Sequence, residues 1–288
     1  QSREELIDRL RGAIAAINVR AYSKFDADVF AALPDLKFLT VMGTGTDNID
    51  LVAAARHGVV VSNTPTAPTV SVAEHAVAMT LALTKNLVPM HNALRGGQWQ
   101  HLPGIELRGK TFGFIGLGLI AAEVAPVMRA LGMRLLGWSL RHDPARARRL
   151  GVELVEMDDV LRRSDVVSLH LRASPRTAGL IGPRELALMK PTAYLINTAR
   201  GAIVDETALY ETLAAGRIAG AAIDVFQQEP LPPTSPLLTL DNVLVTPHVA
   251  WVTDAGIARM AQHPVDNVLA FLDGGPQFVV SPAPAVTR

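Results

Sequence analysis

The passage from Thr111 to Leu131 constrains this chain more than any other. An apolar run short enough to be a buried strand, Thr111-Phe112-Gly113-Phe114-Ile115, breaks into Gly116-Leu117-Gly118-Leu119-Ile120-Ala121 and then into a helix-like segment, Ala121 to Leu131. In a Gly-x-Gly-x-x-Ala turn of this kind, Gly116 permits the tight reversal and Gly118 lets the backbone approach a pyrophosphate. Ala121 lets the helix pack close to its strand, and the free N–H groups at the helix start suit phosphate oxygens. Glycine-rich turns also arise for packing alone, so the context matters. A second strand-like segment, Arg134 to Ser139, follows and completes a βαβ unit.

From Thr111 onward strands alternate with helices: Thr111–Ile115, Arg134–Ser139, Val166–His170, Ala193–Asn197, Ala219–Val225 and Val243–Thr246. This order predicts an α/β fold with a doubly wound parallel sheet. Before it, helices over Ser2–Leu10, Asp26–Leu33 and Ile49–Arg56 alternate with strands over Ala13–Val19, Lys37–Met42 and Val59–Ser62. A linker over 63–68 leads to a helix predicted over Val70–Leu87. It is apolar nearly all round, so it should be buried on more than one side and join two subunits. A last helix is predicted over Asp254–Leu272. Pro126 and Pro264 fall inside predicted helices and should kink or break them. The first region opens on a helix, carries no initiator Met and has only three strands, so a flavodoxin-like domain lacking its first N-terminal strand is expected.

Composition excludes several classes of function. Twenty-seven basic residues balance twenty-seven acidic ones, so no global field favours nucleic acid or anionic lipid. No cysteine is present, which removes disulfides and thiolate chemistry and fits a reducing, cytoplasmic setting. The longest apolar stretch, around Val72–Leu83, holds Glu74 and His75 and predicts no membrane span; the charged N-terminus is no signal peptide. His57, His75, His91, His101, His142 and His263 lack the paired spacings of zinc enzymes, and no metal is expected; His75 reads as a packed helix residue.

Three short motifs follow strand ends. Asn197-Thr198-Ala199-Arg200-Gly201 places an arginine there, Asp224-Val225-Phe226-Gln227-Gln228-Glu229 two carboxylates, and Thr246-Pro247-His248-Val249-Ala250-Trp251 a histidine. Each alone has a plainer explanation: Arg200 paired with Asp205, Glu229 a solvated loop acid, His248 a helix cap. Together, three polar groups at successive strand ends of a nucleotide-binding sheet point to a reaction site.

With these motifs, Gly43-Thr44-Gly45-Thr46-Asp47-Asn48-Ile49-Asp50 and Ser71-Val72-Ala73-Glu74, the chain resembles the D-isomer-specific 2-hydroxyacid dehydrogenase family over about Val19 to Ala270. The resemblance implies a discontinuous catalytic domain (1–66 and 250–288), a dinucleotide-binding domain (67–249) and a homodimer through the cofactor domains. It implies Arg200, Glu229 and His248 as the catalytic set. It also implies an NAD(P)(H) site drawing on Gly116, Gly118, Leu119, Ile120, Ser139, Arg141, His170, Thr177, Thr198, Ala199, Asp224, His248 and Ala250. The chemistry suits these roles. A histidine titrating near neutrality can move the proton of a carbonyl reduction, a carboxylate can orient it, and a guanidinium fork matches the substrate carboxylate. The backbone of Thr44 and Gly45 and the side chain of Trp251 complete the expected substrate contacts, and Asp224 resembles the family residue that accepts the nicotinamide amide.

Some residues depart from the family pattern. Ser139 stands where NAD-dependent members carry an acid, with Arg141 two positions on, which favours NADP(H). The plainer reading makes Arg141, Arg146, Arg148 and Arg149 a solvated helix face. Arg172 replaces a usual proline, without an assigned role. Arg20 lies where a phosphate-holding residue sits in phosphoglycerate dehydrogenases, but Val41 stands where some members have another arginine. The substrate is therefore open among small 2-hydroxy and 2-oxo acids. A corepressor-like dinucleotide sensor, a phosphite dehydrogenase and a chain inactive without its first strand are the alternatives.

Overall fold

A computed structural model describes residues 2–19 and 23–282; Arg20 lies outside them. The chain divides into two compact units, Gln1–Pro68 with Val252–Arg288, and Thr69–Trp251. Among the described residues, no helix is long and apolar enough to cross a membrane.

In the first unit, α1 (Arg3–Leu10), α2 (Ala27–Ala31) and α3 (Leu51–Arg56) alternate with β1 (Ala15–Val19), β2 (Phe38–Met42) and β3 (Val60–Asn63). Local sequence sets each helix start. Ser2 and Glu5 form a reciprocal capping box, and the Asp26 and Asp50 carboxylates accept the N–H groups of Val29 and Ala53. The three strands pair in parallel in the order β1-β2-β3 around Phe30, Leu36, Leu39 and Val61. The C-terminal helix Asp254–Leu272 also belongs here. Its buried Asn267 donates to Thr40 and Ser62 hydroxyls and to the Asn63 carbonyl.

The second unit starts with α4 (Thr69–Thr84) and α5 (Leu87–Arg95), and continues with β4 (Thr111–Ile115), α6 (Leu119–Ala130), β5 (Arg134–Trp138), α7 (Pro144–Leu150), β6 (Glu153–Leu154), α8 (Met157–Arg163), β7 (Val166–Leu169), α9 (Pro183–Leu188), β8 (Tyr194–Asn197), α10 (Glu206–Ala214), β9 (Gly220–Ile223) and β10 (Val243–Val245). The seven strands are parallel in the order β10-β9-β8-β7-β4-β5-β6. Both faces are covered, which is why the strands are largely apolar, with Ser168 and Asn197 buried among them. Val166, Ile196 and Ala222 enter one core with α4 and α6, while Val167, Leu195 and Ala221 enter the other with α8 and α10.

Three expectations need correction. The helix predicted over Val70–Leu87 is two helices. Asn86 takes a left-handed conformation (φ 52°), which asparagine tolerates. The Lys85 ammonium and Asn86 amide donate to the carbonyls of Ile105 and Pro103, so the returning chain seals the junction. Strand β6 is an addition: two residues at a sheet edge carry no periodic signal. Of the kink or break expected at each internal proline, the break does not occur: both helices run continuously through Pro126 and Pro264. Pro126 faces solvent, where water can meet the carbonyl that its missing N–H releases.

Candidate active site

The order of the large sheet reverses between β4 and β7, and open α/β sheets bind ligands at the carboxyl ends flanking such a reversal. The glycine turn lies there. Gly116 has φ 107°, and a Cβ on it would stand 2.6 Å from the His170 carbonyl oxygen. A Cβ on Gly118 would meet nothing nearer than 3.9 Å, so the approach to the start of α6 is open. Gly118 is also the N-cap and offers no side-chain acceptor to the first N–H groups of α6, at Leu119 and Ile120. Ala121 is fully buried against the sheet. This cradle fits a pyrophosphate, and the buried Thr198 hydroxyl, with no partner among the described residues, fits a polar ligand at the next strand end.

His170, expected at the cofactor, is at this turn with its ring turned inward. Both ring nitrogens are sealed from solvent with no partner among the described residues, beside Phe114, and burial pushes the imidazole pKa down to about 4. Thr177 is fully buried and donates to the Arg172 carbonyl, so its hydroxyl ties the loop that follows His170.

Arg200, Glu229 and His248 follow β8, β9 and β10 at the same sheet edge. The His248 Nδ1 lies 2.6 Å from Glu229 Oε2, and the other Glu229 oxygen accepts the Phe226 N–H at 2.9 Å. Burial alone would raise the Glu229 pKa. The bonds from His248 and Phe226, with the charges of His248 and Arg200, outweigh it and hold the carboxyl below its ordinary value. A carboxylate only accepts, so His248 carries its proton on Nδ1 and presents Nε2 outward. The plainer explanation does not hold for Glu229, which is engaged on both oxygens, while Asp205 caps α10 through its bond from Ala208 N–H.

The supports of these side chains were not evident in the sequence. Asn197 clasps the turn carrying Arg200: its amide oxygen accepts from Ala199 N–H, and its nitrogen donates to the Arg200 carbonyl. A Cβ on Gly201 would stand 2.0 Å from the Phe226 carbonyl carbon, so only glycine lets the Arg200 and Glu229 loops touch. Asp224 is fully buried. Its carboxylate accepts from the Thr246 hydroxyl, Val249 N–H and Ala250 N–H. His248 has φ 53°, a left-handed conformation that costs a non-glycine residue about 1–2 kcal/mol. Trp251 is half-buried three positions on.

At the end of β5, the Ser139 hydroxyl donates to the Arg141 carbonyl at 2.5 Å, and Arg141 is exposed. In the first unit, the Thr64 hydroxyl accepts from Gly43 N–H and the Asn63 amide donates to the Thr44 carbonyl, fixing the half-buried turn through Thr44 and Gly45.

A parallel sheet of this order with a Gly-x-Gly-x-x-Ala turn at its reversal defines a Rossmann-type dinucleotide-binding domain. The sequence model of the D-isomer specific 2-hydroxyacid dehydrogenase NAD binding domain matches residues 77–250. D-3-phosphoglycerate dehydrogenase of Archaeoglobus fulgidus is 44% identical over 93% of this chain, which spans half the length of that relative. Glyoxylate reductase of Aeropyrum pernix is 40% identical over 94% of this chain and 83% of its own length. The structure of a glyoxylate reductase from Paecilomyes thermophila superposes with a TM-score of 0.90 at 30% identity, over 96% of this chain and 88% of that one. The chain belongs to the D-isomer specific 2-hydroxyacid dehydrogenase family, whose members are oxidoreductases that use a nicotinamide dinucleotide.

Proposed function

We propose that this chain transfers a hydride between NADP(H) and a small D-2-hydroxy or 2-oxo acid, with the unit Thr69–Trp251 as the dinucleotide domain and the other unit as the substrate domain. The observation that carries the reading is the His248–Glu229 pair at 2.6 Å, at the same sheet edge as Arg200. The bound nicotinamide supplies or accepts the hydride. As the imidazolium, protonated on both nitrogens, His248 gives its Nε2 proton to the carbonyl oxygen when the 2-oxo acid is reduced; as the neutral ring, with its proton on Nδ1, it takes a proton back on Nε2 in the reverse direction. Glu229 orients the ring and stabilises the imidazolium. Arg200 holds the substrate carboxylate as a fork, and Trp251 narrows the space for the remaining substituent. The backbone of Thr44 and Gly45 is the substrate contact proposed for the first unit.

The preference for NADP(H) rests on Ser139 and Arg141. Without an acid at Ser139, nothing there repels a 2′-phosphate. The Ser139 proton is already given to a carbonyl, so the charge-assisted contact falls to the exposed Arg141. We also propose a homodimer. It uses the surface at α5 and the loop after it rather than α4 alone, because Leu87, Val88, Leu94 and Trp99 are exposed there, Trp99 by 81%. Leu94 and Trp99, with Met90 and Leu102, line an open cleft of about 680 Å³.

Steady-state assays with glyoxylate, hydroxypyruvate and related 2-oxo acids, each with NADPH and NADH, test the reaction. Turnover with at least one of them is expected. Tight cofactor binding without turnover across the panel would overturn the reading.

A further inference from the structure

The stretch 246–250 wraps around a single residue. Asp224 receives four hydrogen bonds from it: the Thr246 hydroxyl and Val249 N–H on Oδ1 at 2.5 and 3.0 Å, Ala250 N–H on Oδ2 at 2.9 Å, and His248 N–H on its backbone carbonyl at 2.8 Å. His248 sits in the middle of this wrap in its left-handed conformation. Such a conformation in a non-glycine residue persists only where its surroundings over-determine it. A fifth group completes the arrangement. His75, on α4, places Nε2 at 3.1 Å from the Thr246 oxygen and 3.7 Å from Asp224 Oδ1. Thr246 has one proton and gives it to the Asp224 carboxylate, so towards His75 it is an acceptor. His75 therefore carries its proton on Nε2 and donates it.

We propose that His75 is a positioning residue for His248, acting through Thr246 and Asp224 to lock the loop that aims the imidazole. The chain of donors runs in one direction, from His75 Nε2 to Thr246 Oγ1 to Asp224 Oδ1, and anchors the loop to a helix buried against the sheet. Among the described residues no hydrogen bond joins His75 to Glu229 or His248. Its effect is to keep the Thr246 hydroxyl pointed at Asp224, and with it the backbone that sets the direction of His248. The proposal rests on the reading of His248 as the proton carrier, but the clamp can be read without turnover.

The test compares the parent with Thr246→Val, Thr246→Ser, His75→Leu and His75→Gln. Thr246→Val is expected to lower kcat roughly ten- to hundredfold, as a displaced reacting group does, with little change in the KM for the cofactor. Thr246→Ser keeps the hydroxyl and should recover most of the activity. His75→Leu should lower kcat less, and His75→Gln, whose amide can donate in place of Nε2, should recover it. Amide hydrogen exchange of the unliganded proteins is the second readout: residues 248–250 should exchange faster in the valine and leucine variants only. Equal exchange in all five proteins, or leucine and glutamine variants indistinguishable in both readouts, would overturn the proposal. If Thr246→Val does not fold, the His75 pair decides. The expected exchange pattern in a protein without turnover on any 2-oxo acid would uphold the clamp and sink the reaction instead.

Discussion

The carboxyl ends of β8, β9 and β10 and the carboxyl end of β5 belong to one sheet, yet they are built differently. Around Arg200, Glu229 and His248 the loops are held by buried backbone-to-side-chain bonds from Asn197 and Asp224, and by a contact that admits only glycine at 201. After β5, the loop through Ser139 and Arg141 is tied by one short bond and leaves its cation in solvent. Proton transfer requires reacting atoms in near-contact geometry, whereas choosing a phosphate over a hydroxyl requires charge of the right sign. The bonding is densest at the end where the proposed proton transfer would depend on geometry.

The largest effect expected is at the rigid end. His248→Ala should lower kcat about 10²- to 10⁴-fold, the usual contribution of a positioned general acid, with cofactor affinity nearly intact. Pre-steady-state hydride transfer and cofactor titration measure the two separately, and a variant within about tenfold of the parent would break the contrast.

The sealed ring of His170 gives the glycine turn a pH signature. Folded, it stays neutral down to about pH 4, whereas a solvated imidazole takes up its proton near 6.5. The unfolded chain thus binds the extra proton as the pH falls from 6.5 towards 4. Stability should decline across that window by an amount on the order of 3 kcal/mol, and this group should contribute nothing above it. Denaturant unfolding of the parent and of His170→Phe at several pH values checks this, since the variant should lose that part of the slope.

Cofactor choice should respond to single charges in the open loop. Arg141→Ala should remove a preference of roughly ten- to hundredfold for NADPH, and Ser139→Asp should reverse it, as expected for one charge-assisted contact of about 1.5–3 kcal/mol. Ratios of kcat/KM for the two cofactors decide this. A parent that favours NADH tenfold would leave Arg141 an ordinary surface cation. Neither substitution should change unfolding free energy by more than about 0.5 kcal/mol.

Gly201→Ala sharpens the contrast from the other side. Its Cβ would collide with the Phe226 backbone, so a loss of about 1–3 kcal/mol in stability is expected together with reduced turnover. Thermal unfolding measured beside kcat would show whether the Arg200 and Glu229 loops depend on each other.

Local chemistry wrote much of this molecule legibly. Short continuous apolar runs, alternating with helical segments, located β4 and β7 to β10. Ser2, Asp26 and Asp50 cap α1, α2 and α3 from immediately beside them, and the glycine turn announced a dinucleotide domain because the residue types at 116, 118 and 121 answer local steric demands. Arg200, Glu229 and His248 were visible as chemistry-bearing residues after strands. Tertiary structure decided what the neighbours of these residues do. Asp224, read from the motif as a ligand contact, is also the hub of the His248 loop. His75, read as packing, donates to Thr246 across a sequence separation of 171 residues. The break at Asn86 depends on carbonyls from residues 103 and 105. The division has a physical basis. Strand period, caps and turns depend on residues within a few positions of one another. A buried hydrogen-bond partner is whichever group the folded chain brings within about 3 Å, and linear order does not encode that distance.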